Sequence, residues 1–310
     1  MREPALIRML PDGRRLHLHD GPIDLIIEAN GPKQSVAAAY EAAARRFVSI
    51  LDQLCAELPL LRSQARKNSP LPGGPIARRM FAAVAPYSDL CFITPMAAVA
   101  GAVAEDVLEV MTCAAPLDRA YVNNGGDIAL HFVPQQSCRV GMVERPDHPS
   151  LFGSLELSAG DSVRGIATSG WRGRSFSLGI ADAVTVLAEN AAAADAAATV
   201  VANAVNLPDH PAITRVPAQQ ITPDSDLGDL LVTRDVGPLT LSETRSALAK
   251  GVEMAELLIA KKLIHSAALC LQGQKSVVVI PSPSRRSRDL LFSSKHNTIQ
   301  GSLLCNSANA

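Results

Sequence analysis

Apolar and polar residues alternate through residues 14–30, with His19-Asp-Gly-Pro22 between two apolar runs. That period of two predicts a hairpin whose second strand runs from Ile23 to Glu28 and stops at Gly31-Pro32. The period then lengthens. Val36, Tyr40, Phe47, Leu51, Leu54 and Leu58 share one stripe, which predicts a helix from an N-cap at Ser35 to about Leu58. Residues 62–79 are basic and rich in Pro and Gly, so they read as a loop. Thr94-Pro95 predicts a second helix start, with Thr94 as N-cap and Pro95 in the first turn. This helix extends to about Cys113. It is apolar nearly all round until Glu105, so it is expected to be buried.

Two strand-like runs in Ala120–Phe132 flank Asn123-Asn-Gly-Gly126, a strong hairpin-turn signal because Asn and Gly tolerate positive φ. Further strands are predicted near 138–144, 153–158 and 163–168, and Ser177–Leu187 reads as another. An alanine-rich helix follows directly over Asn190–Val205. Residues 207–237 read as loop. Thr240-Leu-Ser-Glu243 is a capping box opening a helix to about His265. Ala267–Leu271 and Ser276–Ile280 predict a last hairpin. Strands and helices mix without regular βαβ alternation. The expected class is therefore α+β, with mixed or antiparallel sheets packed against buried Ala-rich helices. Residues 1–284 are expected to form one domain and 285–310, rich in Ser, Arg and Asn, a disordered tail.

Composition narrows the function. Of 310 residues 47% are hydrophobic and only 4% aromatic, which favours close packing over a stacking surface for bases. The formal net charge of −1 gives no electrostatic footprint for nucleic acid or an anionic membrane. None of the six cysteines forms a C-x-x-C pair, and most lie in apolar stretches and read as reduced core residues. The start, Met1-Arg-Glu-Pro-Ala-Leu-Ile-Arg8, has no apolar signal run, and no stretch approaches a transmembrane length. The expected setting is the cytoplasm. The expected partner is a small-molecule ligand rather than nucleic acid or membrane, with a homodimer left open. His17 and His19 alternate on one face of a strand, where a metal role is a minor alternative.

The alanine-rich helix carries polar residues that its folding does not require. Asp195, Thr199 and Asn203 recur at steps of four and share one face. A carboxylate on so apolar a helix needs a cation, a donor or a metal beside it. Asp195 and Thr199 offer hard oxygens one turn apart, suited to Mg2+ or Ca2+. The structural alternative is that Asp195 caps a neighbouring loop and Thr199 bonds back to its own helix. In the same way, Gly125 and Gly126 are first a turn, and second a place where backbone can approach a phosphate, with Asp127 adjacent. Gly170-Trp-Arg-Gly-Arg-Ser175 has the look of a phosphate loop but lacks the lysine and the full glycine fingerprint.

Three segments in order, Asn123-Asn-Gly-Gly-Asp-Ile128, Ile166-Ala-Thr-Ser-Gly170 and Ala194-Asp-Ala-Ala-Ala-Thr199, resemble the signatures of the ApbE-like superfamily. These are FAD:protein FMN transferases, once labelled thiamine-biosynthesis lipoproteins. Pro95-Met-Ala-Ala-Val-Ala-Gly101 and Gly179-Ile-Ala-Asp-Ala-Val-Thr-Val186 resemble stretches shared by a cytoplasmic branch of that superfamily. The resemblance implies an α+β fold with FAD or FMN held between glycine-rich loops lined by Asn124, Gly125, Gly126, Asp127, Thr168, Ser169 and Gly170. It implies Mg2+ held in part by Asp195 and Thr199. The sequence departs from the transferases at one of their motifs. Their His-x-x-Asp-Pro-x-Thr-Gly motif is replaced by Ser177-Leu-Gly-Ile-Ala-Asp182-Ala-Val, leaving Asp182 as the candidate second acid or general base. The expected function is Mg2+-assisted binding of a flavin or phosphate-bearing small molecule, with pyrophosphate or nucleotidyl chemistry. The alternatives are a non-catalytic flavin or nucleotide binder, and a different small-metabolite enzyme using the same pocket.

Overall fold

The protein is described from a computed structural model over residues 4–143 and 151–279; the tail expected over 285–310 lies outside them. The strands are β1 (Leu6–Met9), β2 (Leu16–Asp20), β3 (Ile23–Asn30), β4 (Arg119–Asn124), β5 (Asp127–Phe132), β6 (Ser137–Val143), β7 (Leu151–Ser158), β8 (Gly165–Ser169), β9 (Ala183–Ala188), β10 (Ile213–Pro217), β11 (Leu231–Val236), β12 (Ser266–Leu271) and β13 (Gln274–Val279). The helices are α1 (Lys33–Phe47), α2 (Ile50–Ala56), α3 (Leu58–Leu61), α4 (Pro75–Val84), α5 (Val99–Ala114), α6 (Ala191–Ala204), α7 (Ala218–Ile221) and α8 (Leu241–Ala260).

Nine strands form one sheet in the order β1-β2-β3-β4-β5-β8-β9-β12-β13, and each neighbouring pair is antiparallel. Alternation along each strand sends Leu25, Ile27, Val122, Val184, Val186 and Leu269 to one face. There α1, α5, α6 and α8 cover them as a helical layer. The opposite face carries Tyr121, Ile128, Leu130, Ile166 and Leu187, and the β6–β7 hairpin adds Cys138, Val140 and Leu157 to form a second, smaller core. The architecture is α+β, as the sequence pattern predicts.

The join between β5 and β8 is short. Only Ile128–Ile166 and Ala129–Gly165 pair across it. Beyond them, at Asp127 and Thr168, side-chain contact takes over from the backbone ladder: the Thr168 N–H donates to Asp127 Oδ1 at 3.2 Å. The starts of α5 and α6 lie over this join. Glycine makes that possible, because a Cβ on Gly101 would lie 2.2 Å from the Ala191 carbonyl oxygen and one on Gly165 would lie 2.0 Å from that of Asn190. No side chain fits in either place, so α5, α6 and β8 meet at backbone distance.

Several local expectations need correction. The helix expected over 35–58 starts at Lys33 behind Pro32 and breaks into α1, α2 and α3. Pro32 presets the entry, Ser35 caps nothing, and Pro59 opens the new turn of α3. The loop expected to 79 ends at Gly74, because Pro75 takes the first helical position of α4. Thr94 bonds the Asp226 side chain instead of capping, and a 3-10 turn over Pro95–Ala98 precedes α5. The strand expected over 177–187 begins only at Ala183. The 207–237 region holds the β10–β11 hairpin and α7. α8 stops at Ala260, with Lys262 at φ +59, rather than near His265. β1 was not expected; it is an exposed edge strand without a buried side to give it a pattern.

Candidate active site

The site is built where the β4–β5 turn, the β8 end and the two buried helices converge. Asn124 pairs with Asp127 across a two-residue loop, Gly125 at φ +66 and Gly126 at φ +117. Both conformations are left-handed, which is why glycine stands at each. Asn123 Oδ1 accepts from the Gly126 N–H at 2.8 Å and braces the turn. Asn124 Nδ2 donates to the Ala100 carbonyl at 3.1 Å, tying the turn to the first residues of α5.

Helix α6 opens with Asn190, whose side chain accepts from the Ala193 N–H at 2.8 Å. One turn later Asp195 is half-buried, and its Oδ2 accepts from the Gly101 N–H at 2.9 Å. Asp195 therefore caps the start of α5. Glu105 on α5 returns the contact, accepting from the Ala192 N–H at 2.9 Å. The two helix starts thus hold one another through exchanged carboxylates.

Asp127 and Asp195 feel each other. Burial, and then the Asp195 charge, push the Asp127 carboxyl well above the usual carboxylate range; the Thr168 N–H and the Arg174 guanidinium act the other way. Burial raises Asp195 to about 7, opposed by the Gly101 and Ala100 N–H groups. Both carboxyls are poorly hydrated, and among the described residues neither has an ion-pair partner. Thr199 lies one turn beyond Asp195, half-buried, its hydroxyl without a hydrogen-bond partner among the described residues.

The other residues singled out by sequence fall into two groups. Thr168, Ser169 and Gly170 end β8 next to Asp127; the Thr168 hydroxyl lies 2.9 Å from that of Thr185 on β9. Gly170, at φ +157, packs so that a Cβ would lie 2.5 Å from the Asp182 carbonyl. Asp182 is buried and engaged on both oxygens. Its Oδ1 accepts from Arg172 Nε at 2.7 Å and Trp171 Nε1 at 3.2 Å, and its Oδ2 from the Gln272 N–H at 2.6 Å. It anchors the loop over 170–175. Asn203, third on the Asp195 face, is spent on the Ser177 hydroxyl and the Leu178 N–H. Sequence reasoning missed Arg174 and Asp24, which meet at 3.7 Å beside the glycine turn. The one available signal was the pair of arginines in Gly170-Trp-Arg-Gly-Arg-Ser175. A separate cleft of about 700 Å3, lined by Arg45, Arg46, Ser49, Gln53, Glu57 and Gly74, holds none of these residues.

Antiparallel sheet, buried Ala-rich helices and the ordered Asn-Asn-Gly-Gly-Asp, Thr-Ser-Gly and Ala-Asp-x-x-x-Thr segments define an ApbE-like protein. More particularly, the chain belongs to the family described as AbpE bacteria, whose sequence model matches residues 7–277. It is similar to the UPF0280 protein of Methanopyrus kandleri, 37% identical over 182 residues, covering 58% of this chain and 69% of that one. The UPF0280 protein of Methanothrix thermoacetophila is 40% identical over 132 residues, 42% of this chain and 52% of that one. The chain spans about half the length of most curated relatives it matches. Among solved structures, the ApbE protein of Thermotoga maritima is 13% identical, covers 89% of this chain and 96% of its own, and gives a TM-score of 0.44. Among the described residues, no helix is long and apolar enough to cross a membrane.

Proposed function

We propose that the chain binds a flavin nucleotide, or another phosphate-bearing small molecule, together with Mg2+ beside the β5–β8 join, and acts on its pyrophosphate. The observation that carries this reading is that Asp127, which closes a turn of two left-handed glycines and accepts from the Thr168 N–H, is raised by burial and by the charge of Asp195, the carboxylate fixed by the Gly101 N–H. Membership in an ApbE-like family supports the ligand class.

The donor set fits Mg2+ in kind. Among the described residues there is no group of three or more His, Cys, Asp or Glu side chains placed to hold a metal. Mg2+ seldom uses such a cage; one or two carboxylates, waters and substrate phosphates are its usual shell. Asp127 and Asp195 would hold it, with the Thr199 hydroxyl close by. When bound, the cation polarises the pyrophosphate and stabilises charge as a bond to phosphorus breaks. The remaining work falls to the chain. Gly125 and Gly126 put no side chain of their own on the turn, and a Cβ on Gly126 would meet nothing within 4 Å, so backbone there can lie against phosphate oxygens. Thr168, Ser169 and Gly170 form the facing wall. Asp182 is a positioning residue that fixes the 170–175 loop through Arg172 and Trp171.

A second reading, binding without turnover, is favoured by one observation: both Asp182 oxygens are taken, so the one acid left in place of the transferase motif is not free to accept a proton. The two readings separate in one experiment. Purified protein is titrated with FAD with and without Mg2+, following flavin fluorescence and AMP release. Mg2+-dependent binding with AMP release supports the enzyme; Mg2+-dependent binding alone supports the binder. Failure of FAD, FMN and ADP to bind in Mg2+ overturns both.

A further inference from the structure

The loop over 170–175 carries two arginines with opposite environments. Arg172 turns inward to Asp182, stacks 4.3 Å from the centroid of the Trp171 ring, and is 22% exposed. Arg174 turns outward and is 58% exposed. Its Nη2 sits 3.2 Å from where a Cβ on Gly125 would be, so the guanidinium lies on the bare face of the glycine turn. Its ion-pair partner is Asp24 Oδ2 at 3.7 Å, too long for a hydrogen bond. Asp24 is held by others: its Oδ1 lies 2.6 Å from His17 Nε2 and 3.3 Å from His19 Nδ1, and the Asp24 N–H donates to Asn124 Oδ1 at 3.4 Å.

We propose that Arg174 is the anion clamp of this site, resting near Asp24 in the free protein and swinging onto the phosphate or pyrophosphate of a ligand lying over Gly125-Gly126. The inference rests on the ligand class proposed above and deepens it. The charge balance calls for such a group. Asp127 and Asp195 together carry −2 when ionised, which one divalent cation neutralises; a pyrophosphate laid on that centre still brings its own negative charge. Arg174 is the cation that borders the turn from the solvent side. A guanidinium presents two parallel N–H donors that match two phosphate oxygens in a fixed planar fork, which an ammonium lacks. An exposed pair at 3.7 Å is cheap to leave. His17 and His19 keep Asp24 in place, so Arg174 has a fixed resting position from which to move.

Selectivity is the consequence. The clamp acts on phosphate oxygens and nothing else in the ligand. Calorimetric titrations in Mg2+ of wild-type, Arg174→Ala, Arg174→Lys and Asp24→Asn proteins would use riboflavin, FMN, FAD and inorganic pyrophosphate. The expected result is a loss of at least tenfold in affinity for FAD in Arg174→Ala, a partial loss in Arg174→Lys, and no change for riboflavin. Asp24→Asn, which removes the resting partner, should bind FAD severalfold more tightly. Pyrophosphate following the same order assigns the effect to the phosphates; an effect on FAD but not pyrophosphate would assign Arg174 to another part of the flavin nucleotide and overturn the clamp. Unchanged FAD affinity in Arg174→Ala, with wild-type still binding, overturns the clamp and leaves the ligand class standing. Wild-type binding none of the four would remove the ligand class and the clamp with it. Arg174 is exposed, so melting temperatures of its variants should match wild type and exclude misfolding as the cause.

Discussion

The Asp195 carboxylate accepts a hydrogen bond from the Gly101 backbone N–H at 2.9 Å. The contact joins two readings that sequence alone sets against each other. Asp195 caps a neighbouring helix, as a structural acid would, and the charge of the same carboxylate helps to raise Asp127 beside the glycine turn. The cap uses the Oδ2 atom. Glu105 performs the reciprocal capping on Ala192 at 2.9 Å, so the helix starts depend on each other before any ligand arrives.

Asp195→Asn and Asp195→Ala therefore separate capping from charge. Asparagine keeps an oxygen for the Gly101 N–H and removes the repulsion with Asp127, so the protein without metal should melt above wild type. Alanine loses the cap as well, which costs about 1 kcal/mol relative to asparagine. Both variants should lose Mg2+-dependent ligand binding. Thermal melts with and without Mg2+ give the answer; Asp195→Asn melting clearly below metal-free wild type would show that the ionised carboxylate is a structural need.

Gly101→Ala should be among the most damaging single-methyl changes in the chain. The new Cβ would lie 2.2 Å from the Ala191 carbonyl oxygen, which is backbone and cannot rotate away. α5 and α6 must then separate, at a cost of about 3 kcal/mol or more. Ala102→Gly, at the neighbouring buried position, serves as a control for helix propensity, expected to cost about 1 kcal/mol. A denaturant melt showing Gly101→Ala no worse than that control would disprove the close approach.

What could be read in advance follows from where the physics is local. The β4–β5 and β12–β13 hairpins, the Thr240 capping box and α6 were legible because turn glycines, a cap and alanine content act within a few residues. The capping of Gly101 was not, since nothing near either residue encodes a contact 94 positions away. β10 and β11 were hidden because their buried positions follow no clean alternation. The engagement of Asp182 was hidden for another reason: its partners Trp171, Arg172 and the Gln272 N–H come from two separate loops.

The capping box of α8 gives a test away from the site. Thr240 Oγ1 accepts from the Glu243 N–H at 3.3 Å and Glu243 Oε2 from the Thr240 N–H at 2.7 Å. Thr240→Ala should cost about 1 kcal/mol. His210 beside it, and then the Thr240 groups, hold Glu243 down at about 2, from an ordinary 4.5. A carboxyl depressed in the folded state stabilises fully above its unfolded value and loses that contribution as pH falls toward the folded one. The stability of wild type relative to Glu243→Gln should therefore shrink as pH drops from about 4.5 to about 2. Parallel stability curves for the two proteins across that range would show that the box carries no charge contribution.

Flavin transfer to a protein acceptor is the activity the sequence departs from, and the structure sharpens that expectation. Transfer needs an acceptor hydroxyl lined up with the bond to the leaving AMP, and a group to take its proton. The interval where transferases carry His-x-x-Asp-Pro-x-Thr-Gly here supplies Asp182, whose oxygens face Arg172, Trp171 and the Gln272 N–H. With FAD, Mg2+ and a standard acceptor domain, mass spectrometry should therefore find no FMN increment on the acceptor. Any slow hydrolysis of FAD should respond to Asp182→Asn through KM, because loosening the 170–175 loop weakens ligand placement, while kcat stays near wild type. A collapse of kcat with KM unchanged would make Asp182 the proton acceptor after all. Stoichiometric labelling of the acceptor by wild-type protein would go further, and transfer would replace binding or hydrolysis as the function of this site.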